Sequence, residues 1–292
     1  MRQNENVIQY PGVDGNTGYR VKIFESIAQF RHREYFEHRH SDFELSCIVS
    51  GSGLYRMNNK VCEIHTGDLF IFGTNQIHCI TDIYNDESLI LLNIQFEPRM
   101  IWSPLSNLLN TDYLFLFNGR CEKFDSSKLA YTTIIDNMYK ILQETKDKRI
   151  GYQTMVRSYM EAIFTYLLRD CNITQGAEMS LKRRQCLINI ENAMKYIDEN
   201  ISQQITLDDL AKRACVSRTY FPKIFFYLNG LKPWDYITIK RIEASKEFLI
   251  NTDYSIAELA GMCGYNNYSN FNILFNRTVG MSPMRYRKSH KQ

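Results

Sequence analysis

The sequence predicts an α+β chain of two domains. An N-terminal β-barrel or sandwich carries two following helices, and an all-α C-terminal domain holds two helix–turn–helix units joined by a long helix. Three observations predict this. Residues 19–97 break into short strand-like runs separated by turn residues. Residues 181–292 contain one helical unit written twice. The charge divides between the two halves: residues 1–180 carry 18 Lys+Arg against 22 Asp+Glu, and residues 181–292 carry 17 against 10. Halves of opposite sign imply different partners, and the basic half implies a polyanion.

The bulk properties fit. A chain of 292 residues is long enough to bury two cores. With 44% hydrophobic and 23% charged residues, the composition is that of a soluble globular protein. The opening MRQNENVIQYPG lacks a basic stretch followed by an apolar run, so no signal peptide is expected. The longest apolar stretches, such as LILLNIQF, fall far short of the roughly 18 residues of a membrane helix. Eight cysteines are scattered without a CxxC pair, which predicts small buried hydrophobes in a reducing cytoplasm rather than a disulfide framework or a zinc site.

In the acidic half the strand runs are YRVKIF, FELSCIVS, GLYRMNN, KVCEI, DLFIF, IHCITDI and SLILLNIQF. Gly51, Gly53, Asn58-Asn59, Gly67, Gly73 and Asn85-Asp86 supply the breaks. So many short strands indicate a sandwich or barrel, about 19–115 in extent. Two helical runs follow. Near 126–146 the stripe is Ile134, Met138, Ile141 and Leu142; near 151–170 it is Met155, Tyr159, Ala162, Ile163 and Tyr166. This domain spans 1–172, the polar stretch 173–187 reads as a linker, and the helical domain takes 188–292.

Within the strands, HRHSDFEL (38–45) is the segment richest in chemistry. Side chains two apart share a face of a strand, which groups His38, His40, Asp42, Glu44 and Ser46 and leaves Phe43, Leu45 and Cys47 opposite. A helix would instead set the two histidines about 200° apart. His78, from NQIHCI, adds a third imidazole. Three histidines and a carboxylate suit Fe, Mn, Zn or Ni with open coordination positions. The same groups in a barrel mouth could hydrogen-bond a sugar-like or small acidic ligand, or simply satisfy one another.

In the basic half, TLDDLAKRACVS (206–217) aligns with SIAELAGMCGYN (255–266), and FPKIFFYLNGLKP (221–233) with FNILFNRTVGMSP (271–283). Thr206 and Ser255 can cap the first helix of each copy, and Ser217 the second helix of the first copy. Phe221, Ile224, Phe225 and Leu228 form one apolar stripe. Gly230 and Gly280 end their helices, with Pro233 and Pro283 beyond them. Between the copies, residues 234–250 read as a single helix with Ile237, Arg241, Ala244 and Phe248 along a stripe. It is a strut of roughly 25 Å, long enough to present two recognition helices to one face of a duplex.

Residues 188–288 resemble the DNA-binding domain of the AraC/XylS transcription regulators. The resemblance rests on LDDLAKRACVS, NGLKP, RIEASKEFL, IAELAGMCGY and FNILFNRTVGMSPMRYRK. Likewise HxHxxxE followed by a later histidine has the order of the metal ligands of cupins, and residues 20–97 resemble the cupin-like effector domain of that family. The resemblance implies base-reading positions at Arg218, Thr219, Pro222 and Lys223, and at Tyr268, Ser269, Asn272 and Ile273, with Arg277 also toward DNA. Pro222 and Ile273 depart from the usual polar readers, and Phe226 and Asn276 from a phosphate-binding lysine. Cys215 stands where the second copy has Gly264, and a left-handed turn there would strain it. The implied protein is a cytoplasmic, ligand-responsive activator of nearby carbohydrate-type genes. It acts as a homodimer joined by the two post-barrel helices, with operator DNA, RNA polymerase and a small effector as partners and no membrane. Effector contacts would fall on His38, His40, Glu44 and His78, with no cofactor, although a divalent metal on the same four is an open alternative. Two rival classes are a metal-dependent cupin enzyme or metal sensor tethered to DNA, and a DNA-bridging protein without effector. The chain shows no GxSxG, P-loop, Rossmann or HExxH pattern, so no catalytic residues are expected.

Overall fold

The computed structural model describes residues 6–11, 18–29, 38–84, 88–102, 117, 120–127, 130–170 and 181–290. The chain divides into two compact units, the described residues of 1–35 and 42–181 forming one and those of 36–41 and 182–292 the other. The first unit opens with strands β1 (Asn6–Pro11), β2 (Gly18–Gln29), β3 (Phe43–Ser50), β4 (Ser52–Met57) and β5 (Lys60–His65). It continues through β6 (Leu69–Phe72), β7 (His78–Ile83), β8 (Ser88–Phe96), the single turn α1 (Arg99–Trp102) and β9 (Cys121–Lys123). Helices α2 (Ala130–Asp147) and α3 (Tyr152–Asp170) complete it.

Among the described residues all strand pairs are antiparallel, in a six-stranded sheet ordered β1-β2-β8-β3-β6-β9 and a three-stranded sheet ordered β5-β4-β7. Strand register decides which side chains share a face. Glu44 and Ser46 stand opposite Gln95 and Asn93 of β8 and opposite Phe72 and Phe70 of β6. Leu45 and Cys47 alternate onto the other face, opposite Ile94 and Leu92.

The face bearing Glu44 closes on the three-stranded sheet. Ala28, Ile48, Phe70, Phe72, Leu89 and Leu91 meet Tyr55, Met57, Ile64, Ile80 and Ile83 in one core, which makes a two-sheet barrel. The opposite face carries Phe43 and Phe96, which pack with Phe117 and with Phe164 of α3 at ring separations of 4.8 to 5.8 Å. The aromatic cluster therefore fastens α3 to the outside of the barrel, each buried ring contributing about 2–3 kcal/mol of hydrophobic stabilisation.

The α2 stripe is buried as read, at Ile134, Met138, Ile141 and Leu142. On α3 the buried face is Val156, Met160, Ile163, Phe164, Leu167 and Leu168. Of the expected stripe only Ile163 is buried, while Met155 is 40% exposed. Two apolar stripes lie side by side on this helix, and the one that reaches Phe96 is the one covered. Three described elements of this unit were not anticipated: β1, α1 and β9. The Asn85-Asp86 break lies outside the described residues.

The second unit comprises α4 (Leu181–Glu199), α5 (Leu207–Arg213), α6 (Phe221–Asn229) and α7 (Pro233–Asn251), then α8 (Ile256–Met262), α9 (Tyr268–Val279) and α10 (Pro283–His290). Residues 181–187, read as part of the connecting stretch, are the first turns of α4; 171–180 lie outside the described residues. Of the three predicted caps, Thr206 with Asp209 and Ser255 with Glu258 are complete capping boxes, whereas the cap position of α6 is Tyr220, without a side-chain cap bond, and not Ser217. Gly230 and Gly280 terminate α6 and α9 in the left-handed region, at φ 68° and 80°. The strut α7 is 19 residues, about 28 Å. Its Tyr236 packs on Phe225 of the first copy, and its Ile242 and Leu249 join Leu259, Phe271 and Phe275 of the second. One helix thus completes both cores. Among the described residues no helix is long and apolar enough to cross a membrane.

Candidate nucleic-acid interface and effector pocket

Each reading helix presents its outward face through a short left-handed turn. Cys215 adopts φ 53° and Gly264 adopts φ 81°, so the strain foreseen at the cysteine is present. Arg241 of α7 braces the second turn. Its Nη1 donates to the Gly264 carbonyl at 2.9 Å, its Nε to the Ile201 carbonyl at 2.7 Å and its Nη2 to the Gln203 carbonyl at 2.6 Å. The guanidinium also lies over the Tyr265 ring, 5.6 Å from its centre. Burial lowers the Arg241 pKa, while its neighbours Tyr265 and Cys263 act to raise it. This bracing arginine was read only as part of a stripe. A cation among the apolar members Ile237, Ala244 and Phe248 of that stripe was the signal.

The two helices then differ. In the second copy Asn267 caps α9, its Oδ1 accepting from the Ser269 and Asn270 amides at 2.7 and 3.3 Å, and α9 begins at Tyr268. In the first copy Ser217 accepts from the Tyr220 amide, yet regular helix begins only at Phe221, with Pro222 in its first turn. Proline cannot donate to residue 218, so the segment holding Arg218 and Thr219 is a turn rather than the first turn of the helix. Pro222 therefore acts on helix geometry.

Arg218, Thr219 and Lys223 are exposed, and so are Tyr268, Ser269, Ile273 and Arg277, while Pro222 and Asn272 are half-buried. Arg218 Nη1 is paired with Asp208 Oδ2 at 3.1 Å, both side chains 65% exposed. In water such a pair contributes at most about 1 kcal/mol, so it leaves the arginine available to an anionic partner.

Inside the barrel lies a row of buried polar side chains. Ser46 donates to Asn93 Oδ1 at 2.7 Å, Asn93 Nδ2 donates to Ser26 Oγ at 3.0 Å, and Gln95 Nε2 donates to Glu44 Oε2 at 2.8 Å. Glu44 Oε2 is also 3.6 Å from His78 Nε2. The His78 ring stacks on Phe72 at 4.2 Å and meets Tyr55 edge-on. Burial first, and then the Glu44 carboxylate, push the Tyr55 hydroxyl well above its ordinary range, so it remains a neutral donor. Asn93 and Gln95 were missed. Two amides two residues apart in the apolar run SLILLNIQF were their signal, since both point to the Glu44 face.

The predicted strand face is corrected at its start. β3 begins at Phe43, so His38, His40 and Asp42 precede it. His40 is buried and His38 exposed. The neighbouring Arg31, His32, Arg33 and Phe36 lie outside the described residues.

A ligand-binding barrel and a helical unit with two helix–turn–helix motifs define a class, the ligand-binding transcription regulators. Comparison with known proteins narrows it. The AraC-like ligand binding domain matches residues 21–164, and a helix-turn-helix domain matches residues 210–289. The chain is 24% identical over 258 residues to the melibiose operon regulatory protein of Escherichia coli K12, covering 87% of this chain and 84% of that one. It is 25% identical over 251 residues to the HTH-type transcriptional activator RhaR of Mannheimia succiniciproducens, covering 86% of each. ToxT from Vibrio cholerae shares the fold with a TM-score of 0.60 at 15% identity, over 94% of this chain and 99% of that one. The chain belongs to the AraC/XylS family of DNA-binding transcription regulators.

Proposed function

We propose that the chain is a cytoplasmic homodimer that activates nearby carbohydrate-type genes when a sugar-like or small acidic effector enters its barrel. The observation that carries the effector site is the buried polar row Glu44, Ser46, Asn93 and Gln95, with His78 against it, inside a core otherwise made of aliphatic and aromatic side chains. Buried polar groups are costly unless paired, and a paired row of amide, hydroxyl, carboxylate and imidazole matches the alternating donors and acceptors of a polyol. The melibiose operon regulator among the relatives supports the sugar reading. His38 and His40 complete the effector contacts. Operator DNA is read by Arg218, Thr219, Pro222 and Lys223 and by Tyr268, Ser269 and Asn272, with Arg277 toward the same partner. The Tyr139 and Met155 side chains, each 40% exposed on α2 and α3, support pairing of these helices across a dimer. RNA polymerase is the partner of the activated state.

Native mass spectrometry and a thermal-shift screen of the full chain test the reading. One sugar or small acid should raise the melting temperature, by an amount matching about 2.7 kcal/mol at a hundredfold excess over Kd, and Glu44→Gln should abolish the shift. A screen of neutral sugars, sugar acids and short-chain acids without any shift counts against it. The HxHxxxE pattern with a later histidine, and the approach of His78 to Glu44, favour one second reading, a divalent metal at His38, His40, Glu44 and His78. One metal per chain, lost in His78→Ala, would establish that reading instead.

A further inference from the structure

The two recognition helices put different chemistry at the same place. At about 100° per residue, Lys223 lies about 200° round α6 from buried Phe221, and Ile273 lies about 200° round α9 from buried Phe271. Each stands at the centre of the face turned away from its core. Ile273 is 65% exposed, more than any other large apolar side chain of the second unit among the described residues. No packing within the fold accounts for it. Around it are the uncharged Tyr268, Ser269, Asn272 and Asn276, with Arg277 one turn further along the helix, whereas Lys223 shares its helix's approach with Arg218.

We infer that the second helix–turn–helix unit reads an A·T-rich segment with Ile273 packed on a thymine methyl, while the first reads a guanine-containing one through Lys223 and Arg218. The inference rests on the assignment of α6 and α9 as the base-reading helices. In the major groove the thymine C5-methyl is the one apolar group, whereas guanine offers only the O6 and N7 acceptors and cytosine an amine donor. Isoleucine over either of those buries a polar group without a partner, so the side chain both attracts thymine and repels a G·C pair. The amide of Asn272 supplies the bidentate match to adenine N6 and N7. Lysine at the equivalent centre of α6 suits guanine for the converse reason.

The test uses the full-length chain and duplexes it selects from a random pool. Selected sites should place an A·T-rich block about one helical turn from a guanine-containing block. Replacing a single thymine of the A·T block by uracil removes only the methyl group. At one position that change should weaken binding about fourfold, and the loss should vanish in Ile273→Ala. Ile273→Lys should move the preferred base at that position from thymine to guanine, a gain that a damaged fold cannot produce. A G·C-rich second block, or a uracil effect that persists in Ile273→Ala, overturns the inference. Recovery of no sequence preference at all would overturn the base-reading assignment beneath it.

Discussion

Replacing Gly264 by alanine should cost the second unit about 3 kcal/mol. The added Cβ would sit 2.9 Å from Arg241 Cζ, 2.9 Å from the Ser202 carbonyl oxygen and 3.0 Å from Arg241 Nη2, at a residue held at φ 81°. A left-handed backbone costs an L-residue about 1–2 kcal/mol. Moving Arg241 away loses at least one of its three hydrogen bonds to carbonyls, and a charge-assisted bond contributes about 1.5–3 kcal/mol. The narrower unfolded ensemble of alanine offsets about 0.4–1 kcal/mol of this. The mirror experiment is Cys215→Gly. Cys215 holds φ 53°, and its exposed sulfur lies 4.0 Å from the Arg213 carbonyl oxygen. Release of its strain outweighs the extra freedom of glycine in the unfolded chain, so stability should rise by about 0.5 kcal/mol. Urea unfolding of the full chain, followed by far-ultraviolet circular dichroism, reads both changes on the helical transition. A Gly264→Ala cost below about 1 kcal/mol, or a destabilised Cys215→Gly, would refute the claim that turn geometry is the constraint.

Three further outcomes follow from the same side chains. The Ser255 hydroxyl and backbone amide hold the Glu258 carboxyl below its ordinary value; a folded pKa below the unfolded one gives stability that is complete above the unfolded value of about 4.3 and is lost as pH falls through the folded one. Urea midpoints of Glu258→Gln should accordingly lose part of their fall below about pH 4, while those of the parent keep it. Lys223→Ala should reduce affinity for selected DNA about tenfold by fluorescence anisotropy, with an unchanged melting temperature because the side chain is exposed. Asn93→Leu takes the acceptor from Ser46 and the donor from Ser26, and the thermal unfolding of the barrel should show a loss of about 2 kcal/mol.

Much of this was readable in the sequence where one physical signal dominated. Strands β3 and β8 run over 43–50 and 88–96 as read, because continuous apolar runs ended by turn residues leave no other choice. The helix caps and terminal glycines were legible because capping chemistry is local. What escaped was set by tertiary contact. β9 has three residues and exists because Phe70, Ile71 and Phe72 offer it an edge. The buried face of α3 was decided by Phe164 reaching Phe96 and Phe117, which no periodicity within the helix contains. His38 and His40 were placed on a strand that starts five residues after His38. The amides completing the polar row became visible only through strand register, since Asn93 and Gln95 are some fifty residues from their partners Ser46 and Glu44.

The duplicated unit separates fold from reading without any other sequence beside it. Leu210 and Leu259, Ala211 and Ala260, Phe221 and Phe271, and Phe225 and Phe275 are identical pairs, and every one is buried. Gly230 and Gly280 end helices, and Pro233 and Pro283 begin them. Packing at interior density and a shared strut tolerate little change at such places. The outward pairs Lys223 and Ile273, Phe226 and Asn276, and Tyr227 and Arg277 differ in each case, and all six side chains are exposed. No packing constraint acts on them, so their divergence reports what each copy meets outside the protein. Two copies that met the same half-site would gain nothing from lysine in one and isoleucine in the other. The chain should therefore recognise two unlike half-sites in fixed order, and a duplex carrying the first block twice should bind more weakly than the unlike pair.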